Sequence, residues 1–470
     1  MKAWVTPPSE LIDKDTLIAT LMARLEDRDA TIMRLGARIE VFVADNAKLT
    51  TRVAELEAKF GGPHKGPGNS SVPPSQGHKP SGTGGLKPKG KPHRGAHRGL
   101  HPDPTRKLVV PATTCGCGAD VSGVAQRAQQ TYDCVEIPKI LPDVTQVILQ
   151  GGLCPCCGKR FKAAAPEGLQ PGSPFGPNLC ALVIYLRTVQ AIPLERLRHV
   201  VFDVVGLEIS EGAIVNILKA SQGAFAAQTA RFKQDLMSGT VIASDETGMR
   251  VGKKNRWLWV FHHDLTAVFL GNQSRAKTVV QSFLGDWRPD YWVSDRYGGQ
   301  IGWAVKDQQY CLAHLIRDVQ YAMDKGDTVL APRLRRLLSN ACAIGRRRGK
   351  LSDATLKAYE RKLDQRLDKI MALKPGIPAA VALHKVFRKI RARLFVFVTN
   401  RAVSPTNNGS ERAVRPCTVY RKVTNGFRAE WAAELYADVR TAVETGRRRS
   451  VRAIDAIRLT LAGQPIPLPV

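Results

Sequence analysis

Residues 241–271 read VIASDETGMRVGKKNRWLWVFHHDLTAVFLG, and the run YWVSD follows at 291–295. VIASD, WLWVFHH, TAVFLG and YWVSD are short apolar runs rich in Val, Trp, Phe and Tyr, the composition of strands. GKKN at 252–255 marks a hairpin turn between the first two, and SRAKTVVQSFLG at 274–285 has helical spacing. The order strand, strand, strand, helix, strand predicts a mixed sheet with helices on its faces.

Outward from that core, acids fall at telling positions. Asp245 ends VIASD and Asp295 ends YWVSD. On neighbouring strands their carboxylates would emerge side by side at one sheet edge. Glu411 lies in SPTNNGSERAVRP at 404–416, where Pro405, Asn407, Asn408 and Gly409 make a turn and Glu411 enters the first turn of a helix. The 116 residues from Asp295 to Glu411 require an inserted domain, which the largely helical stretch 312–397 supplies. Either aspartate alone is explained as a strand-end turn residue. The two together, followed by Glu411, point to metal chemistry. Mg²⁺ is a hard cation that prefers carboxylate oxygens, and two such ions (or Mn²⁺) roughly 4 Å apart clamp an in-line displacement at phosphorus. Glu246 adjoins Asp245 but points to the opposite strand face, so it is not counted as a ligand.

The formal net charge of +29 over 470 residues points to a polyanionic partner, nucleic acid first. No apolar run approaches the roughly 20 residues that span a bilayer, and the N-terminus lacks the apolar core of a signal peptide. The expectation is an intracellular protein with no membrane association.

Residues 1–60 hold a long helix in which Ile18, Leu21, Leu25, Ile32, Leu35, Ile39, Phe42, Asn46, Leu49, Val53, Leu56 and Phe60 recur in alternating steps of three and four. This heptad seam buries only against a second helix, and predicts a dimer or higher homo-oligomer. Residues 61–106 are Gly-, Pro- and Ser-rich and basic, with no acid between Glu57 and Asp103; they read as a flexible tether. Lys87, Lys89, Lys91, Arg94 and Arg98 within it would bind DNA phosphates.

Six of the ten cysteines crowd into residues 115–157. Cys115-Gly-Cys117 and Cys154-Pro-Cys156-Cys157 read as two knuckles able to give four thiolates, Cys115, Cys117, Cys154 and Cys157, to a structural Zn²⁺. The first pair is one residue short of the usual spacing, and Cys134 or Cys156 are substitutes. Residues 107–165 would be this strand-like, zinc-binding module. Residues 166–236 read as helical; LERLRHVVFDVVG, LEIS and EGAIVNILKAS fit a DNA-reading helix-turn-helix and an ordinary helical hairpin equally well, with Gly206 ending the first helix and Ser210 capping the second. Basic clusters at 335–336, 346–348, 388–393 and 447–449, with Arg412, Arg415, Arg421 and Lys422, surround or follow the acids.

The words SDETGMRVGKKNRWLWVF, DYWVSDRYGG, CLAHLIRDVQ and SPTNNGSERAVRP resemble those of IS66-family transposases. GNSSVPPS and KGKPHRGAHRG are similar to the family's serine-proline and basic stretches, and NGFRAEWAAELYADVRTAVETGRRR to its C-terminal segment. The resemblance implies an RNase H-like α/β core at 237–428 with a helical insertion near 316–397 and a helical C-terminus at 429–470, within a multidomain α+β chain. It implies that Asp245, Asp295 and Glu411 stand at the DDE positions, and that a leucine zipper and a zinc segment belong to the layout. It places the word with Cys311, His314 and Arg317 beside the active site, where His314 and Arg317 would touch DNA; Arg412 and Arg415, close to Glu411, would grip phosphates. The implied partners are double-stranded transposon ends and target DNA, with accessory proteins of the same element, in the bacterial cytoplasm at the nucleoid. The implied reaction is cleavage at the ends followed by attack of the freed 3′-OH on target DNA. An RNase H-like nuclease or resolvase without strand transfer, and a non-catalytic transposon-derived DNA-binding protein, remain the alternatives.

Overall fold

The computed structural model describes residues 14–59 and 98–469, with side chains from 54 to 59 excluded. Lys87, Lys89, Lys91, Arg94 and the GNSSVPPS stretch lie outside the described residues, while Arg98 is exposed. Helix α1 (Lys14–Lys59) is continuous over 46 residues. Its seam residues from Ile18 to Val53 are exposed in the single chain; Leu56 and Phe60 of the seam lie outside the described side chains.

Between 107 and 165 the strand-like reading is realised in small part. β1 (Gly151–Leu153) and β2 (Arg160–Lys162) form a two-stranded antiparallel hairpin, and Thr114 bridges Asp120. Leu108, Tyr132, Ile137 and Ile148 stay exposed, so no alternating face is buried and no longer ladder is driven to form.

Next come α2 (Pro177–Ile184), α3 (Leu194–Val205) and α4 (Glu211–Met237). Gly206 ends α3 in the left-handed region at φ 74°, and the Ser210 hydroxyl accepts from Ala213 N–H at 3.1 Å to cap α4. Leu197 and Val201 of α3 are fully buried in the same core as Ile214, Phe225 and Phe232 of α4. Arg196, Arg198 and His199 face outward.

The sheet uses β3 (Val241–Val251), β4 (Lys254–His262), β5 (Ala267–Asn272), β6 (Tyr291–Ser294) and β7 (Asp307–Tyr310), with α5 (Lys277–Leu284) between β5 and β6. Its order is β5-β4-β3-β6-β7, the first three antiparallel and the last two parallel to β3. Gly252, at φ 58°, makes the tight turn of the β3–β4 hairpin. Trp259 and Phe261 bury on one face with Trp292 and Phe283, while Leu258 and Val260 bury on the other with Phe269 and Tyr420. Burial on both faces explains why WLWVF is apolar at every position.

β7, sequence DQQY, escapes the apolar-run criterion because Gln308 and Gln309 are buried polar residues. Gln309 Nε2 donates to the Leu394 and Tyr310 carbonyls at 2.9 and 2.7 Å; Gln308 Nε2 donates to Ser294 Oγ at 3.0 Å.

The remaining helices are α6 (Leu312–Asp324), α7 (Ala331–Arg347), α8 (Asp353–Met371), α9 (Pro378–Ile390), α10 (Val396–Thr399), α11 (Asn408–Thr424), α12 (Glu430–Arg448) and α13 (Ala453–Leu461). The chain divides into two compact units. One takes in α1 with residues 314–340 and 364–390; the other holds the sheet, 341–363 and the segment from Arg391. In the first, α7 buries Leu334, Leu337 and Leu338 and exposes Arg333, Arg335 and Arg336; α9 buries Leu383 and Phe387 and exposes Lys385, Arg388 and Lys389. These are amphipathic helices with basic outer faces. In the second, α11 and α12 cover one sheet face, where Tyr420, Phe427 and Tyr436 stack with centroids 4.4 to 5.2 Å apart. Among the described residues no helix is long and apolar enough to cross a membrane.

Candidate active site

β3 and β6 run parallel with Val241 opposite Tyr291 and Ala243 opposite Val293. Extending that register by two residues sets Asp245 level with Asp295, just past the C-terminal end of β6. The two acids are therefore level on neighbouring strands, but Asp245 does not end its strand as its place in VIASD suggests: β3 runs on to Val251 as the long arm of the hairpin with β4, where Asp245 pairs with Val260, while Asp295 lies just past β6.

The side chains flanking Asp245 point to the other face of the strand and do a separate job. Ser244, fully buried, donates its hydroxyl proton to Gln300 Oε1, and Gln300 Nε2 donates to Glu246 Oε2. Glu246, with a side chain 1% exposed, pairs with Arg275 Nη2 at 2.5 Å. The Arg275 guanidinium lies 3.8 Å from the centre of the Tyr297 ring, and the Tyr297 hydroxyl donates to the Arg275 carbonyl at 2.6 Å. Asp295 Oδ1 in turn accepts from Tyr297 N–H at 2.9 Å. The loop that carries Asp295 is thus pinned by the two neighbours of Asp245.

The third acid arrives on α11. Glu411 is half-buried in the first turn, its N–H bonded to the Asn407 carbonyl at 3.1 Å. Asn407 is 2% exposed. Its Nδ2 donates to the Ser244 carbonyl at 2.7 Å, and its backbone N–H donates to Cys311 Sγ at 3.1 Å. Cys311 Sγ and a Glu411 carboxylate oxygen lie within 4.8 Å of one another.

The electrostatics tie the three acids together. Burial raises the Asp245 carboxyl well above its ordinary range, and the negative charges of Glu246, Asp295 and Glu411 each push it further up. Glu246 is raised by burial and by Asp295, against the opposing pull of Arg275. Among the described residues the carboxylates of Asp245, Asp295 and Glu411 do not all lie within 4.8 Å of one another; as a hard-oxygen donor set they would suit divalent cations that bridge the acids, and such charge would neutralise the repulsion among them. The residues present fit Mg²⁺ or Mn²⁺.

Other expected site residues are placed as follows. Arg412 and Arg415 are exposed on α11, within a turn of Glu411. His314 and Arg317 sit half-buried on α6, in the other unit. Each cysteine knuckle forms its own tight turn: Gly118 N–H donates to the Cys115 carbonyl at 2.8 Å, and Gly158 N–H to the Cys154 carbonyl at 2.8 Å. Hydrogen bonds from Cys117 lower the Cys115 thiol, and bonds from Cys157 and Cys156 lower Cys154. Among the described residues, no three of these thiols come within 4.8 Å of one another. Reading the sequence missed Ser244, Gln300, Arg275 and the clamping amide of Asn407. Strand alternation around Asp245 was the available signal for Ser244, as it was for the separate facing of Glu246.

A family model described as Transposase IS66 family matches residues 172–435, more than half of the chain and all three acids. No curated protein matches the chain.

Proposed function

Since the chain belongs to the IS66 transposase family, we propose that Asp245, Asp295 and Glu411 are its catalytic carboxylates and that it cleaves transposon ends and joins them to target DNA. The family implies a DNA substrate. The observation that carries the residue assignment is geometric: the parallel register sets Asp245 level with Asp295, and the Asn407 amide holds the first turn of α11, with Glu411, on the carbonyl of Ser244. The sheet order, three antiparallel strands followed by two parallel ones, supports the RNase H-like reading.

In this reading Asp245, Asp295 and Glu411 hold two Mg²⁺ or Mn²⁺ ions. Bound there, the metal supplies a nucleophile at neutral pH and charge stabilisation at phosphorus. The chain's own residues do the positioning. Gln300, Glu246 and Arg275 hold the Asp295 loop, and Asn407 holds the entry of α11. Arg412 and Arg415 present cations to the DNA backbone beside the acids. Two further assignments go with it: α1 pairs with a second copy through its exposed seam, and the cysteine knuckles bind Zn²⁺.

Asp245→Asn, Asp295→Asn and Glu411→Gln should each slow cleavage of an end-bearing duplex by on the order of a thousandfold or more, since several kcal/mol of transition-state stabilisation are lost. Binding of the same duplex without metal should change little. Unchanged cleavage in any of the three removes that residue from the assignment. Joining of cleaved ends to a target plasmid separates a transposase from a nuclease that only hydrolyses.

A further inference from the structure

His262 ends β4 opposite Ala243 of β3 and is 8% exposed. Its Nε2 stands 2.9 Å from the hydroxyl of Ser410, the residue before Glu411. Ser410 is fully buried and lies 2.6 Å from Asn407 Oδ1. Proton bookkeeping fixes the direction of this chain. Asn407 must turn its Nδ2 toward the Ser244 carbonyl, because an amide oxygen there would face another acceptor. Asn407 Oδ1 then accepts, so the single Ser410 proton goes to it. The imidazole therefore donates from Nε2 to Ser410 Oγ at 2.9 Å, the tautomer that gives up the longer 3.4 Å contact between Nδ1 and the His263 carbonyl.

The contact is also steric. A Cβ built on Gly409 would lie 3.1 Å from His262 Cε1, tighter than ordinary packing, and 3.4 Å from Nε2, at ordinary contact. The imidazole edge is the floor under the turn that launches Glu411.

We propose that His262 is a positioning residue for the carboxylate site. Its Nε2–H orients the Ser410 hydroxyl, the hydroxyl orients the Asn407 amide, and the amide locks the start of α11 onto the strand residue before Asp245. The inference rests on the reading of Asp245, Asp295 and Glu411 as metal ligands. It adds a residue 149 positions before Glu411 in sequence, on a strand to which no role was assigned. The chain ends on the backbone that holds the start of α11 against β3, so its loss should weaken metal binding beyond any cost in stability. Residues that orient metal ligands typically change affinity by about 10–100-fold when removed.

The test is calorimetric titration of Mn²⁺ into the full chain without DNA, with thermal unfolding of each variant in parallel. His262→Phe keeps ring size and removes the donor. His262→Gln restores an amide donor. Ser410→Ala breaks the chain one link on and keeps the assay open should His262→Phe not fold. Glu411→Gln is the reference for the carboxylate site itself. Expected are Mn²⁺ affinities at least about tenfold weaker in His262→Phe and Ser410→Ala, most of the loss recovered in His262→Gln, and no added loss in the double His262→Phe, Ser410→Ala variant. DNA affinity in chelator stays at the wild-type level in all. Wild-type Mn²⁺ affinity in His262→Phe or Ser410→Ala, with Glu411→Gln impaired, overturns the positioning role alone. Equal losses in the Phe and Gln variants assign His262 to packing and also overturn it. If Glu411→Gln binds Mn²⁺ normally, the carboxylate reading itself falls, and this inference with it.

Discussion

The side-chain amide of Asn407 donates to the backbone carbonyl of Ser244 at 2.7 Å, which ties the first turn of α11 to the strand residue preceding Asp245. Without it, an acid 166 residues along the chain from Asp245 would be held at the site by helix packing alone. Asn407→Ala takes the amide donor from the Ser244 carbonyl and the acceptor from the Ser410 proton in a buried region, a cost of about 1–3 kcal/mol. Urea denaturation should report that loss; an unchanged midpoint would mean the clamp contributes nothing to the fold.

The ion pair between Glu246 and Arg275 predicts an asymmetry. Arg275→Met strands a carboxylate that is 1% exposed, whereas Glu246→Gln leaves a neutral amide able to bond Gln300. Arg275 is itself 39% exposed, so solvent screening keeps the cost of its loss to about 1–2 kcal/mol. Arg275→Met should be the less stable variant in denaturant, and the reverse order would contradict the pairing described.

Acid should stabilise the metal-free protein over part of its range. Asp245 and Glu246 are raised above their ordinary values, and burial, with a contribution from Glu434, raises Asp438 to about 6. A carboxyl whose folded value is raised binds its proton more tightly when folded. Its contribution is complete below the unfolded value and is lost as pH climbs through the folded one. For Asp438 that window runs from 3.8 to about 6. Asp438→Asn should therefore stabilise the chain at pH 7, on the order of 2 kcal/mol, and flatten the pH dependence between 4 and 6. Melting curves at stepped pH read this directly; a destabilised Asp438→Asn protein at pH 7 would refute it.

The knuckle cysteines give a further expectation. Their lowered thiols at Cys115 and Cys154 favour the thiolate that zinc takes. Protein prepared without chelator should carry zinc that is lost in Cys154→Ser and Cys157→Ser. Wild-type zinc content in both would move the site elsewhere.

Much of the catalytic fold is legible in the chain because its signals are local. VIASD, WLWVFHH, TAVFLG and YWVSD are apolar enough to declare themselves as strands, and NNGSER carries a turn and a helix start. β7 is not legible: DQQY has no apolar pattern, and Gln308 and Gln309 are buried because carbonyls 8 and 85 residues away, respectively, accept their protons. α11 runs on to Thr424 through Pro416, past the point where a proline suggests a stop, because Cys417 and Tyr420 are buried against the sheet. The Gln300 and Asn407 clamps were equally hidden. Each joins atoms far apart in sequence, and a polar residue gives no sign of which carbonyl it will meet.

Whether Asp245, Asp295 and Glu411 share bound metal can be read from the ion itself. Fe²⁺ substituted for Mg²⁺, with peroxide and ascorbate, makes hydroxyl radicals at the ion that cut the nearby backbone. If they do, cuts fall close to residues 245, 295 and 411 together, are suppressed by excess Mg²⁺ and are lost in Asp295→Asn. Cuts beside only one of the three, or a pattern that Asp295→Asn leaves intact, would contradict shared binding.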